Sequence, residues 1–291
     1  MDSQAQPLNA LTVDVEDWYH VGAFADRIDP AGWDDFAPRV GDNTRRLMEL
    51  FERHDTKATF FILGWVAERQ PELIREIAAA GHEIACHGWS HQLVYGQRQQ
   101  VFRDETVRSK ALLEDILGAP VNGYRAASYS ITGESLWALD VLVEAGFEYD
   151  SSIFPVHHDR YGIPGGERWP HVIRTPSGAG LVEFPLSTAR WLGMRLPIAG
   201  GGYFRIYPYA LTRAGLGSIN RAGKPFIFYL HPWEIDTGQP RMEDASWKSK
   251  FRHYTGLARC EPRLEQLLKD FRMTTCREVL AAQGLLPARA A

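Results

Sequence analysis

The sequence predicts an α/β chain: a parallel sheet with helical cover, its chemistry gathered at the strand ends. Three observations carry that prediction. Strand-like and helix-like stretches alternate at least five times, acidic and histidine residues stand just beyond strand ends, and no repeat, low-complexity segment or clean linker divides the 291 residues. Alternation of this kind belongs to parallel sheets. Polar groups beyond the strands' ends are where (β/α) barrels gather their active sites.

The first strand is read in LNALTVDVE, whose last residues turn acidic. After a loop around Pro30 to Pro38, Asp42 or Asn43 is read as the cap of a helix running to about His54, with Leu47, Leu50 and Phe51 on one stripe. KATFFIL at 57–63 reads as a buried strand, Pro71 opens a helix that stops at Gly81, and HEIAC at 82–86 is the next strand. Helical periodicity returns over 98–117, and GYRAASYS at 123–130 is a short strand and loop. A helix over 134–145 leads into FEYDSS, after which residues 151–208 break into Gly, Pro and aromatic segments with short strands at HVIRT and LVEFPL. Helix 210–222 and strand PFIFYL at 225–230 precede HPWE, and the tail reads as a helix at 261–271, a strand at MTTC and a closing helix REVLAAQ.

A chain this long can bury one large core or two modest ones without staples. Its three cysteines, Cys86, Cys260 and Cys276, form neither a disulfide framework nor a CxxC pair, which suits a reducing compartment. No apolar stretch is long enough to cross a bilayer, and MDSQAQPLNA lacks a signal core, so the chain reads as soluble and cytoplasmic. A net charge of -4 without a basic cluster argues against nucleic acid. The nine Trp, eleven Tyr and fourteen Phe concentrate in Gly-, Pro- and His-rich segments, where they can stack on sugar rings or simply plug a core.

HGWSH spaces His87 and His91 four apart, which on a helical turn would give two imidazoles to one metal. DVED at 14–17 adds three carboxylates that repel each other unless a cation, an Arg or a shared proton offsets them. Two histidines and one carboxylate leave positions open for water and substrate. In an extended chain Asp14 and Glu16 share a face and Asp17 points away. The same acids could instead cap a loop or pair with Arg39 or Arg125. Arg125 could orient Asp14 through a bidentate pair, or make a plain surface salt bridge. His231 ends the apolar run FIFYL and can serve as a general acid or as a core histidine satisfied by backbone. Cys86 faces away from its neighbour His87 and reads as an inert core thiol, while His20, His157 and His158 are weaker candidates.

Together DVEDW, TFFILG, HEIACHGWSH, GYRAASYS, YDSSIFP and FYLHPWE resemble the NodB-type polysaccharide deacetylase family (carbohydrate esterase family 4-like). The match is closest to the subgroup found with exosortase/PEP-CTERM exopolysaccharide loci. The resemblance runs as one catalytic domain over about 8–282, with a subgroup-specific C-terminal extension at about 235–282. It implies a distorted, incomplete (β/α) barrel of about seven parallel strands and a divalent metal ion, most simply Zn. It further implies hydrolysis of N-acetyl groups on N-acetyl-hexosamine units of a polysaccharide, in exopolysaccharide biosynthesis. Carried over, His87 and His91 are metal ligands, Asp14 the catalytic base, His231 the catalytic acid and Arg125 the residue that positions the base. Two departures matter. Asp14-Val15-Glu16-Asp17 replaces two adjacent Asp residues, leaving the third ligand between Glu16, favoured, and Asp17; and Ala127 stands where the family has Pro, which should loosen the loop carrying Arg125. The acid partnering His231 has no sure match; Asp159 is one candidate. Trp18, Tyr19, Trp89, Tyr129 and GGGYFR are read as lining a glycan groove, or as rim packing. Rival readings are an allantoinase-like hydrolase of small amides on the same scaffold and an inactive glycan-binding protein.

Overall fold

The computed structural model describes residues 6–158, 161–191 and 193–288. Its centre is a sheet in the order β10-β1-β2-β3-β4-β5-β7-β6, with β11 also pairing β1. In chain order the central strands are β1 (Asn9–Val15), β2 (Thr59–Ile62), β3 (Glu83–Cys86), β4 (Gly123–Tyr124) and β5 (Tyr149–Asp150). They are followed by β6 (His171–Arg174) and β7 (Gly180–Glu183), then β10 (Ile227–Leu230) and β11 (Met273–Thr274). From β10 across to β7 every neighbouring pair is parallel; β6 alone joins antiparallel, at the far edge. That run of seven parallel strands, curled and not closed, is the distorted (β/α) barrel expected.

Side-chain alternation along the strands sorts residues onto two faces. Leu11, Val13 and Val15 of β1, Phe60 and Ile62 of β2, Ile84 and Cys86 of β3, and Phe228 and Leu230 of β10 belong to the core that packs under the helices. Ala10, Phe61, Ala85, Tyr149 and Ile227 belong to a second cluster on the concave face. Carried forward, the same parity places Thr12, Asp14, His87, Arg125 and His231 on the concave side, and Cys86 on the other. The parallel strands end together, so these residues meet at one end of the barrel.

Helices α1 (Val40–Arg53), α2 (Gly64–Arg69), α3 (Pro71–Ala79), α4 (Gln99–Leu117) and α5 (Trp137–Glu144) cover the first half. Pro71 opens α3, and Gly118, at φ +61°, ends α4 in the left-handed conformation a glycine adopts without strain. α7 (Tyr209–Arg221) and α9 (Leu257–Asp270) cover the second half, while α10 (Cys276–Ala282) puts Cys276, Val279 and Leu280 into the concave cluster. All three cysteines are free and buried, and burial pushes the Cys86 thiol up to about 12.

Several elements differ from the sequence reading. α1 starts at Val40, and its first amides are capped from a distance: Asp17 Oδ2 accepts the Val40 and Arg39 N–H groups, where a local cap at Asp42 or Asn43 was expected. α2 has only six residues, too few for a periodic signal, and begins at Gly64, where a Cβ would press on Trp89 and Ser109. A hairpin of β8 (Thr188–Trp191) and β9 (Met194–Pro197), with α6 (Gly201–Ile206) and α8 (Trp247–Tyr254), occupies stretches whose glycines and charges hide their pattern. α9 begins at Leu257, four residues before the expected start, with Pro262 inside it. Among the described residues no helix is long and apolar enough to cross a membrane.

Candidate metal centre and active site

Asp14, one residue before the end of β1, is fixed by the strand and by Arg125. The guanidinium is fully buried: Nη1 donates to Asp14 Oδ1 at 2.6 Å and to Thr12 Oγ1 at 2.8 Å, Nη2 to Ser151 Oγ at 3.0 Å and Nε to the Ser151 carbonyl at 3.2 Å. The pair is therefore single-toothed and deeply buried, in place of the bidentate or surface pair considered above. Asp14 Oδ2 is left toward the cavity, 3.3 Å from the Tyr129 hydroxyl that donates to it. Ala127 does not leave its loop untied: the Ala126 N–H donates to Ser152 Oγ at 2.8 Å, and Ser130 Oγ donates to the Ala127 carbonyl at 2.6 Å.

Beyond β1 the chain turns sharply, Glu16 N–H donating to the Asp14 carbonyl at 3.0 Å. Glu16 points into the site and Asp17 out of it. Asp17 uses its carboxylate on the backbone of Trp18, Arg39 and Val40, and its own N–H donates to His20 Nδ1 at 2.8 Å. Asp17 is thus a loop-holding group, and the Arg39 side chain pairs with Asp236 instead.

His87 and His91 do not sit on a helical turn. The segment is a loop in which Gly88 has φ +73° and His91 φ +52°. The loop still brings ligand atoms of Glu16, His87 and His91 within 4.8 Å of one another. His87 Nδ1 lies 2.8 Å from the Arg125 carbonyl, which can only accept, so Nδ1 carries the hydrogen and Nε2 keeps its lone pair. Burial holds the His87 pKa down to about 4, keeping the imidazole neutral at neutral pH. Glu16 Oε2 is buried and has no hydrogen-bond donor, although His91 Nε2 stands 2.7 Å away. Burial works against ionising Glu16, but the His91, His231 and His87 imidazoles override it and hold the carboxyl well below the usual range. An unpartnered carboxylate oxygen facing two imidazoles fits a divalent cation: three protein ligands with room left for water and substrate.

His231, one residue past β10, faces both acids, its Nε2 3.4 Å from Glu16 Oε1 and 3.9 Å from Asp14 Oδ2. Its other nitrogen, Nδ1, lies 3.1 Å from Glu234 Oε2, and Glu234 Oε1 accepts from Arg205 Nε at 2.7 Å. Arg205, 1% exposed, also donates to the carbonyls of Arg252, His253 and Thr255. Burial alone would lower the His231 pKa; Glu16, Glu234 and Asp14 outweigh it and lift the value to about 9. Trp233 stacks on His231 and donates to Glu16 Oε1 at 3.3 Å. Glu234 was not foreseen, although it stands three residues from His231 in HPWE, the spacing of a capping box. Asp159, the partner considered from sequence, lies outside the described residues.

A cleft of about 760 Å³ opens beside these groups, lined by His91, Ser128, Tyr229, His231 and the 19–33 loop. Three of the four non-glycine residues with positive φ among those described, His91, Ser128 and Tyr129, are here, a concentration of strain typical of functional sites. Of the proposed groove aromatics, Tyr19 and Tyr203 line the cleft; Trp18 packs edge-on against Phe36, and Tyr129 supports Asp14. Gly200 and Gly201 act by their lack of a side chain: a Cβ would overlap the Tyr229 ring and the Glu234 carboxylate respectively.

Residues 32–149 match the family described as Polysaccharide deacetylase, and residues 151–281 match a domain of unknown function (DUF3473). A peptidoglycan deacetylase of Helicobacter pylori is 31% identical over 137 residues, 46% of this chain and 44% of that protein. A chitooligosaccharide deacetylase of a Bradyrhizobium species is 29% identical over 99 residues, 34% of this chain and 43% of that protein. The chain therefore spans under half the length of these curated relatives. The solved structure of Puue allantoinase superposes with a TM-score of 0.63 at 14% identity, covering 98% of this chain and 94% of that one, a likeness of fold.

Proposed function

We propose that this chain, whose residues 32–149 match the polysaccharide deacetylase family, is of the NodB type and hydrolyses N-acetyl groups on N-acetyl-hexosamine units of a polysaccharide, with a divalent ion, Zn most simply, held by Glu16, His87 and His91. The observation that carries the reading is the juxtaposition of that ligand triad with a base and an acid, Asp14 and His231, whose Oδ2 and Nε2 lie 3.9 Å apart in one buried site. Bound there, the ion would polarise the acetamide carbonyl and ease deprotonation of a water.

Asp14 Oδ2 takes the proton of the attacking water while Arg125, on Oδ1, fixes its direction. The water oxygen bonds to the amide carbon, and the carbonyl oxygen gathers negative charge. Of the 127–129 backbone, Ser128 lies on the cleft wall at φ +51° and is the candidate to meet that charge, whereas the Tyr129 N–H is already donated to the Ala126 carbonyl. His231 Nε2–H then protonates the leaving nitrogen as the C–N bond breaks, releasing acetate and a free amine. Glu234 holds the ring and its charge.

We place this activity in one domain over about 8–282, in exopolysaccharide biosynthesis and in the cytoplasm, the extension at about 235–282 supplying the groups that hold Arg205. The test is acetate release from defined N-acetyl-hexosamine oligomers by metal-stripped protein, then after adding Zn, Co, Ni or Mn. Metal-dependent release is expected. Release from none of them, or turnover of a ureide in preference, would replace the substrate class.

A further inference from the structure

Helix α8, Trp247–Tyr254, carries its large apolar groups outward. Its buried residue is His253, stacked on Trp233 with ring centroids 4.2 Å apart. At about 100° per residue the opposite face belongs to Trp247, Phe251 and Lys248, with Arg252 at its edge, while Lys250 flanks the packed side and donates to the Glu243 carbonyl. Trp247 is 72% exposed and Phe251 50%, and no other large apolar residue described is as exposed as Trp247. The helix holds three cations and no carboxylate. With Arg241, Glu243 and Asp244 of the preceding loop, four cations stand against two acids, in a chain whose formal net charge is -4. The patch is therefore locally basic on an acidic molecule.

This face is continuous with the cleft. Phe251 and Arg252 line it together with Val21, Ala25, Ile28 and Ile206. A saccharide could stack on the aromatic rings but would leave that aliphatic wall without a partner. Exposed Trp and Phe among lysines have the composition of a surface that seats its rings at headgroup depth and draws anionic lipid with its cations.

We propose that α8 docks the protein on an anionic lipid surface, with the mouth of the cleft at that surface, so that the site acts on glycan held at a bilayer. The glycan half rests on the function proposed above; the docking half stands apart from it. The experiment is cosedimentation of the metal-loaded full chain with vesicles of phosphatidylcholine alone and of equal parts phosphatidylcholine and phosphatidylglycerol. In parallel, acetate release from soluble oligomers is measured. Binding to the mixed vesicles and little to phosphatidylcholine is expected. Trp247→Ala should release the protein, Lys248→Gln should weaken partitioning about fivefold, and neither should alter turnover of soluble oligomers. No binding to either vesicle, or binding indifferent to Trp247→Ala, overturns the proposal. So does a dimer in size exclusion that Trp247→Ala dissolves, which makes the face a contact between copies. Vesicle binding without acetate release removes the glycan reading and leaves the docking face standing.

Discussion

Replacing Glu234 by Gln asks whether His231 is a proton donor. The carboxylate faces the ring at 3.1 Å and is the group between it and Arg205. An opposite charge in contact typically moves a pKa by about 1–3 units. Removing it should therefore bring His231 from about 9 to roughly 6–8. The acid works only when protonated, so activity is lost as pH rises through that pKa. In a kcat/KM profile of acetate release, the alkaline limb of Glu234→Gln should fall about 1–3 units lower than in the parent, with the acidic limb left in place. Stability follows the same sign. A histidine raised from 6.5 to about 9 contributes stability fully present below 6.5 and lost as pH rises through about 9. Glu234→Gln forfeits part of that contribution, since Glu16 and Asp14 still face the ring, and leaves Arg205 without its carboxylate, costing about 3–5 kcal/mol, so a thermal melt must first show the variant folded at the assay temperature. An unmoved alkaline limb in folded, metal-loaded protein would refute His231 as the acid that Glu234 supports.

Asp14→Asn should cut kcat by about 10²–10⁴-fold while bound metal, read by elemental analysis, stays unchanged; loss of metal would make Asp14 a ligand. Glu16→Ala should lose metal, whereas Asp17→Ala should keep it and lower stability by about 1 kcal/mol through the uncapped start of α1; the reverse pattern would exchange their roles. His91→Ala should reduce bound metal below one equivalent, and retention of a full equivalent would sink the triad. Gly201→Ala should push Glu234 aside and reproduce the displaced alkaline limb of Glu234→Gln, with about 1–3 kcal/mol of destabilisation; a normal profile would show that Glu234 is not locked from that side.

What the sequence revealed was governed by local repetition. Strand and helix alternation announced the sheet, whereas the period-two parity expected to carry Asp14 and Glu16 on one face stops at Val15, and Glu16 reaches the site through the turn after β1. Residues that act across long separations left no such trace. Asp17 reads as a third acid of a cluster, yet its partners are amides at 39 and 40. Arg205 lies in a glycine-rich stretch without period, and only folding shows that it clamps Glu234. His87 and His91 were found by spacing, although the helical turn invoked for them is a loop with left-handed residues. Glu234 was within reach: an acid three residues after a strand-end histidine can turn back on it.

The Arg205 clamp has a consequence for the order in which the molecule becomes competent. All three ligand candidates are encoded by residue 91, whereas the proposed proton donor at 231 depends, through Glu234 and Arg205, on carbonyls as late as Thr255. The ligand candidates thus lie early in the chain, while the groups that clamp Glu234 lie late. The clamp on Glu234 is complete only once residue 255 has been made, so the His231 side of the site is the last to be assembled.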